Sequence, residues 1–328
     1  MPEITHRTVE TNGIKLHIAE AGQGPPVVLL HGFPELWYSW RHQLPALAEA
    51  GYHAIAPDVR GYGGSDAPQP IEAYNMRSMT ADVAGLLDAL GERSAVVVGH
   101  DWGSPIAWSC ALLYPDRFSA VVAMSVPYLP RGPLPPLQLM RQVFANNFFY
   151  IIYFQEPGVA EKELEADVRR SLRLFLYRAS GDAPTGAELA RSLGLLESFE
   201  TPTPPAASTF LEGMVDPEEL PGWITEADID YYAKEFQRTG FRGGLNRYRN
   251  MDRDWEELPQ LAGAKVQQPA VFITGERDGV RNFTSTDGMV KDVPNLRDMI
   301  VVPGAGHWVQ QERPAEVNAA MIDFLRSL

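Results

Sequence analysis

The chain has 328 residues, of which 45% are hydrophobic and 21% are charged, and its formal net charge is −14. This length suits one large α/β domain with an insertion, and a strongly acidic chain is a poor partner for nucleic acid or an anionic membrane. The single cysteine, Cys110, excludes a disulfide framework. The sequence contains neither a signal-peptide pattern nor an apolar run of bilayer-spanning length. We therefore expect a cytoplasmic protein with no membrane partner, either a monomer or a homodimer.

Strands and helices alternate along the first part of the chain. Residues 4–22 predict two strands joined by a hairpin turn at Thr11-Asn12-Gly13. Continuous apolar runs then predict buried parallel strands, and the segments between them predict helices. The predicted strands are Pro26–Leu30, His53–Pro57, the run ending at Val98 and residues 119–126, and the predicted helices are 37–50 and 75–90. The glycine-rich turn at 58–66 has no G-x-G-x-x-G that opens a helix, so we expect no dinucleotide cofactor.

This alternation stops near residue 128. The chain is then helical and aromatic, with proline-rich joints at 130–136 and 202–205. Strand patterns return at 269–274 and 298–302, before a last amphipathic helix. We therefore predict a mostly parallel sheet covered by helices on both faces, with a helical cap inserted between two strands. The predicted limits are 1–127 and 254–328 for the two parts of the α/β core and 128–253 for the cap.

The chemistry centres on Gly99-His100-Asp101-Trp102-Gly103, which joins an apolar run to a helical pattern. A strand, a Gly-x-nucleophile-x-Gly turn and a helix are typical of the nucleophile elbow of the α/β-hydrolase fold. Carboxylate attack on an ester gives an anhydride that reverts, whereas attack on a saturated electrophilic carbon gives a stable ester that must then be hydrolysed. Asp101 at the apex thus predicts epoxide opening or halide expulsion. The alternative is that Asp101 only caps the following helix.

The catalytic partners of Asp101 are expected in the loops after the strands predicted at 269–274 and 298–302, because ligands bind at the carboxyl ends of strands in open α/β sheets. Asp278 and His307 complete the order nucleophile, acid, histidine that defines the hydrolase triad. We assign His307 to activate water against the Asp101 ester and Asp278 to orient His307, with Glu276 as the competing acid. His100 is interpreted as a residue that shapes the turn.

Hydrolysis of such an ester passes through a tetrahedral oxyanion. The backbone N–H groups of Trp102, directly after the nucleophile, and Phe33, in the loop after Pro26–Leu30, are predicted to stabilise it. The chain has neither an H-E-x-x-H motif nor a cysteine–histidine cluster, so we predict no metal site.

The leaving group decides which further residues are needed. A halide leaves as a weak base, whereas an epoxide leaves as an alkoxide and needs an acid near the ring oxygen. A tyrosine hydroxyl donates strongly without ionising at neutral pH. The residues alone do not choose among the tyrosines of the cap, which are Tyr150, Tyr153, Tyr177, Tyr231, Tyr232 and Tyr248.

The motifs His31-Gly32-Phe33-Pro34 and Gly99-His100-Asp101-Trp102-Gly103 resemble those of the soluble epoxide hydrolases of the α/β-hydrolase superfamily. The cap segments 153–161 and 240–250 resemble those that carry the two ring-opening tyrosines, and the resemblance covers nearly the whole chain. It implies that Tyr153 and Tyr248 donate to the epoxide oxygen and that the peptide before Pro34 is cis. Arg247 departs from the family, in which an aromatic residue often precedes the second tyrosine.

The resemblance implies a small-molecule epoxide and water as partners, with a vicinal diol as product and no cofactor. The aromatic cap favours apolar or aromatic epoxides. A haloalkane dehalogenase is the alternative with the same aspartate, but Phe33 lacks the side-chain donor that often holds the halide there. A non-catalytic ligand-binding protein on a hydrolase scaffold is a remote alternative, because every triad position is filled.

Overall fold

The computed structural model of the chain describes residues 2–145, 147–184 and 209–328, and within them eight strands form one sheet. The strands are β1 (Thr5–Thr11), β2 (Ile14–Ala21), β3 (Pro26–Leu30), β4 (His53–Pro57), β5 (Ala95–His100), β6 (Phe118–Met124), β7 (Ala270–Gly275) and β8 (Leu296–Val302). Their spatial order is β1-β2-β4-β3-β5-β6-β7-β8. The pairs that contain β2 are antiparallel, and every other pair is parallel. The predicted hairpin and strands are thereby confirmed, with ends shifted by one or two residues.

Helices lie on both faces of the sheet because both faces are apolar. Val28 and Val97 belong to one buried cluster, and the neighbouring Val27 and Val98 belong to the other, as alternation along a strand requires. The core helices are Gln43–Glu49, Met76–Leu90, Gly103–Leu113, Met289–Asp292, Val309–Glu312 and Pro314–Arg326, and short 3₁₀ helices are Trp37–Trp40, Ile71–Tyr74, Pro259–Leu261 and Gly279–Asn282.

The predicted continuous helix over 37–50 is wrong. A 3₁₀ turn over Trp37–Trp40 is followed by a separate helix over Gln43–Glu49. Pro45 explains the break, because its ring lacks an N–H and collides with the carbonyl four residues earlier. An α-helix therefore has to begin close to Pro45, so the proline falls within its first turn.

The connection between β6 and β7 forms the predicted helical cap. Its helices are Pro136–Val143, Tyr150–Tyr153, Val159–Leu164, Val168–Arg178, Glu226–Thr239, Arg242–Arg249 and Met251–Glu257. The last of these crosses the predicted boundary at residue 253, and the division into 1–127, 128–253 and 254–328 stays a prediction. The proline-rich joint at 202–205 lies outside the described residues. Among the residues described here, no helix is long and apolar enough to cross a membrane.

Candidate active site

The turn between β5 and the helix Gly103–Leu113 presents Asp101 at its apex. Asp101 has a φ of 49°, a left-handed conformation that is strained for an aspartate. The flanking glycines are required, because a Cβ on Gly99 would lie 2.1 Å from the carbonyl oxygen of Gly103, and one on Gly103 would lie 2.0 Å from that of Leu30. A Cβ on Gly32 would lie 2.2 Å from Asp101 Oδ1. Local crowding therefore fixes where the carboxylate points.

His307 lies between the two predicted acids. Its Nε2 is 3.5 Å from Asp101 Oδ2, and its Nδ1 is 3.2 Å from Asp278 Oδ1. Burial alone would lower the pKa of His307, but the charges of Asp278 and Asp101 outweigh burial and hold that pKa well above its usual value. The pKa of Asp278 is lowered, because the charge of His307 and hydrogen bonds to its carboxylate outweigh burial. The structure thus brings the three residues together in one row, in which His307 and Asp278 are buried and Asp101 is partly exposed.

Glu276, the competing acid, is not part of this row. Its side chain is exposed, and its carboxylate accepts a hydrogen bond of 3.0 Å from the backbone N–H of Gly304. Asp278 is only 3% exposed. Within the described ranges, no group of three or more His, Cys, Asp or Glu side chains is arranged to hold a metal ion.

The loop after β3 supplies one predicted oxyanion donor. The backbone N–H of Phe33 donates to Asp101 Oδ1 at 2.7 Å, and the Phe33–Pro34 peptide is cis, as predicted. Trp102 directly precedes the helix Gly103–Leu113, and its backbone N–H stays a predicted second donor. Asp101 Oδ1 is therefore held in place by the N–H group that the sequence analysis predicts to stabilise an oxyanion.

A buried hydrogen-bond network under the site was not predicted. Glu35 accepts from His100 Nδ1 at 2.7 Å and from the backbone N–H of Gly32 at 2.9 Å, and His100 Nε2 lies 2.7 Å from the carbonyl of His307. Although burial opposes ionisation, the charge of His100 and its hydrogen bond lower the pKa of Glu35 to about 2. His100 therefore links the loop after β3, the turn that carries Asp101 and the loop after β8 that carries His307.

Ser125 was also missed by the sequence analysis. Its hydroxyl lies 2.6 Å from Asp278 Oδ2 and 2.8 Å from His307 Nδ1. No motif marks a serine after β6, since its two partners follow in the chain by 153 and 182 residues. The hydroxyl completes the polar contacts of the buried histidine and acid.

The structure brings Tyr248 to the site but not Tyr153. Tyr248 is 3% exposed, and its ring lies against Trp102 with centroids 5.0 Å apart. Burial first, and then the charge of Asp101, raise its pKa well above the usual value. The hydroxyl of Tyr153 instead donates to Glu163 at 2.9 Å, and burial with that contact raises the pKa of Tyr153 to about 12. No interaction joins Tyr153 to Asp101 among the described residues.

Tyr150, one turn earlier on the same short helix, packs against Tyr248. Its ring centroid is 6.1 Å from that of Tyr248 at an interplanar angle of 80°. Its pKa is raised by burial and by the charges of Asp101 and Asp278. These contacts favour Tyr150 over Tyr153 as a partner of Tyr248 at the elbow, and the ring-opening role of either tyrosine stays a prediction.

Arg247, the departure from the family pattern, packs where an aromatic ring was expected. Its guanidinium carbon lies 4.8 Å from the centre of the Trp102 ring, and its side chain hydrogen bonds to the Tyr74 carbonyl and to Asp254. Burial lowers the pKa of Arg247 to about 9. A planar guanidinium stacks on an aromatic face much as a ring does, so the back of Trp102 stays covered.

Comparison with known proteins agrees with this geometry. A profile of the family described as alpha/beta hydrolase fold matches residues 25–314. Epoxide hydrolase A of Mycobacterium tuberculosis is 50% identical over 99% of this chain and 98% of its own length. Epoxide hydrolase 3 of Siraitia grosvenorii is 43% identical over 99% of both chains. The crystal structure of Epoxide Hydrolase A from Mycobacterium thermoresistibile superposes with a TM-score of 0.90 at 49% identity, covering 99% of this chain and 98% of that one. With an aspartate at the elbow and such relatives along its whole length, the chain belongs to the epoxide hydrolases of the α/β-hydrolase superfamily.

Proposed function

We propose that this enzyme converts apolar or aromatic epoxides and water into vicinal diols through a covalent ester on Asp101. The names of its relatives support the reaction class. One observation carries the mechanism. The Asp101 carboxylate accepts from Phe33, faces His307, and is electrostatically coupled to the phenols of Tyr150 and Tyr248.

Alkylation is the first half-reaction. Because Asp101 Oδ1 accepts from Phe33, Oδ2 attacks one epoxide carbon, and the electron pair of the breaking C–O bond moves to the ring oxygen. The hydroxyls of Tyr150 and Tyr248 both donate hydrogen bonds to that oxygen, and one of them transfers its proton to it. The imidazolium of His307 then returns a proton to the resulting phenolate, which leaves a hydroxyalkyl ester, two neutral phenols and a neutral imidazole.

Hydrolysis is the second half-reaction. Neutral His307 takes a proton from water through Nε2, and the resulting hydroxide adds to the ester carbonyl of Asp101. The N–H groups of Phe33 and Trp102 stabilise the oxyanion. When the intermediate collapses, the proton of the new carboxylic acid passes to the departing alkoxide. Asp101 is again a carboxylate, His307 is again an imidazolium, and the diol has gained the elements of water.

The side chains beside the nucleophile favour an apolar substrate. Phe175 packs against both Phe33 and Trp308, with centroids 6.2 Å and 5.7 Å apart, and Phe210 packs against Tyr150 at 6.1 Å. Aromatic walls bury apolar groups and offer few polar partners to a hydrophilic substrate. We expect styrene oxide to give more diol than a small polar epoxide such as glycidol, and a chloroalkane to release no halide.

The covalent scheme is tested by a single turnover in heavy-oxygen water with enzyme in excess over styrene oxide. Hydroxide adds to the ester carbonyl, so the label should appear in the peptide that contains Asp101, and the first diol should stay unlabelled. A matched reaction with Asp101→Asn should label neither. Label found only in the diol would mean that water attacks the epoxide directly, and the proposal would fail.

A further inference from the structure

Ser125 adopts an unusual backbone conformation directly after β6. Its φ is 68°, a left-handed value that favours glycine, and the N–H of Val126 donates to the carbonyl of Met124 at 2.8 Å across it. The resulting three-residue turn is a rare and strained form. Ser104 on the elbow helix donates to the Val126 carbonyl at 2.5 Å, so the turn is attached to the nucleophile elbow. Because this backbone conformation favours glycine, the presence of serine indicates that the Ser125 side chain has a function.

The protons available around Ser125 fix the direction of its hydrogen bonds. A carboxylate only accepts and a serine hydroxyl carries one proton, so that proton goes to Asp278 Oδ2 at 2.6 Å. The lone pairs of Ser125 Oγ then accept the Nδ1–H of His307 at 2.8 Å. The direct contact from His307 Nδ1 to Asp278 Oδ1 is longer, at 3.2 Å, and Oδ1 also accepts from the N–H of Val280. The shorter route from histidine to acid therefore runs through the serine.

We propose that Ser125 is a positioning residue for ester hydrolysis, whose hydroxyl bridges Asp278 and His307 and keeps the histidine in its Nδ1–H tautomer. In that tautomer Nε2 has a free lone pair and faces Asp101, where water must be deprotonated. This inference rests on the proposed covalent function. Alkylation needs no base, so the serine matters chiefly in the second half-reaction.

The charged and titratable groups that face His307 are Asp278 from the loop after β7, Asp101 from the elbow and His100, whose ring centroid lies 4.9 Å away. Removing the serine hydroxyl takes an acceptor from Nδ1–H and leaves Asp278 Oδ2 without that donor. The loss of the acceptor destabilises the imidazolium relative to the neutral ring, because the charged ring makes the stronger hydrogen bond. The rate of ester hydrolysis rises with pH to a plateau as His307 loses its proton. The pH at which the rate reaches half of that plateau should therefore move downward, and the plateau rate itself should fall.

The test compares Ser125→Ala with Ser125→Gly. Alanine removes the hydroxyl and keeps the strained backbone, whereas glycine removes the hydroxyl and relieves the strain, so it should fold even if alanine does not. Rapid-quench mass spectrometry with styrene oxide gives the rate constants of ester formation and ester loss separately. Ser171→Ala is the matched control, since it removes a buried hydroxyl that donates to the Leu164 carbonyl in the cap.

Both Ser125 variants should lose about tenfold to a hundredfold in ester hydrolysis, as expected for a hydrogen bond to charged partners, and much less in alkylation. Their pH profiles should shift downward, and the control should match the wild type. Wild-type hydrolysis in either variant would overturn the inference, as would equal slowing of both half-reactions. Failure to detect any ester in the wild type would instead refute the covalent scheme, which keeps the two failures distinct.

Discussion

Replacing Tyr150 by phenylalanine tests the proposal that Tyr150 and Tyr248, and not Tyr153, are the ring-opening acids. Tyr150 and Tyr248 are both coupled to Asp101, whereas the hydroxyl of Tyr153 donates to Glu163. A preorganised donor at a developing oxyanion contributes about a hundredfold to a thousandfold in rate. We expect Tyr150→Phe and Tyr248→Phe each to slow alkylation by that factor.

Tyr153→Phe is the matched control, three residues away on the same helix. It removes one hydrogen bond to Glu163, which keeps the backbone N–H groups of Phe210 and Leu211 as donors at 3.0 Å and 2.9 Å. The expected loss is about 1 kcal/mol in the free energy of unfolding, with little change in alkylation.

The assay is the rate constant of ester formation, measured by rapid quench and mass spectrometry with styrene oxide at neutral pH. Urea unfolding of each variant separates loss of stability from loss of chemistry. If Tyr153→Phe slowed alkylation as strongly as Tyr248→Phe while Tyr150→Phe did not, the assignment of Tyr150 would be refuted. The geometry of the Tyr150–Tyr153 helix would then differ in the working enzyme.

Three further substitutions probe the nucleophile and its base. His307→Gln should still form the ester but not hydrolyse it, so mass spectrometry should show protein heavier by one epoxide. Protein of unchanged mass would contradict the assignment of His307 to ester hydrolysis alone. Asp101→Asn removes a charge that raises the pKa of His307, so the histidine should titrate at lower pH by NMR, and an unchanged titration would contradict the coupling. Gly32→Ala places a Cβ 2.2 Å from Asp101 Oδ1, so alkylation should fall by about a hundredfold or more while circular dichroism stays native. A fully active Gly32→Ala enzyme would show that the loop moves freely.

The elements that the sequence predicted well are those determined by residues close together in the chain. The turn at Thr11-Asn12-Gly13 closes the hairpin, with positive φ at Asn12 and Gly13. The glycines around Asp101 specify the elbow because no other residue fits beside the neighbouring backbone. The predicted helix over 37–50 is wrong because a proline at position 45 cannot lie in the middle of an α-helix.

The polar network could not be predicted because its partners are far apart in the chain. Glu35 and His100 are separated by 65 residues, and Ser125 and His307 by 182. Spacing rules describe neighbours along a helix or strand, whereas these contacts arise where different loops meet at one edge of the sheet. The sequence pattern cannot choose between Tyr150 and Tyr153 for a related reason. Residues three apart on a helix point about 60° apart, so only the packing of that helix decides which one faces the nucleophile.

In the proposed mechanism, the charge of Asp101 links the two half-reactions. In the resting enzyme this charge helps to raise the pKa of His307 and of the phenols of Tyr150 and Tyr248. Ester formation neutralises the carboxylate, so all three pKa values must fall together. A phenol with a lower pKa protonates the alkoxide more readily, and a histidine with a lower pKa loses its proton and becomes a base. The bond that Asp101 forms therefore prepares both the acids that complete ring opening and the base that removes the ester.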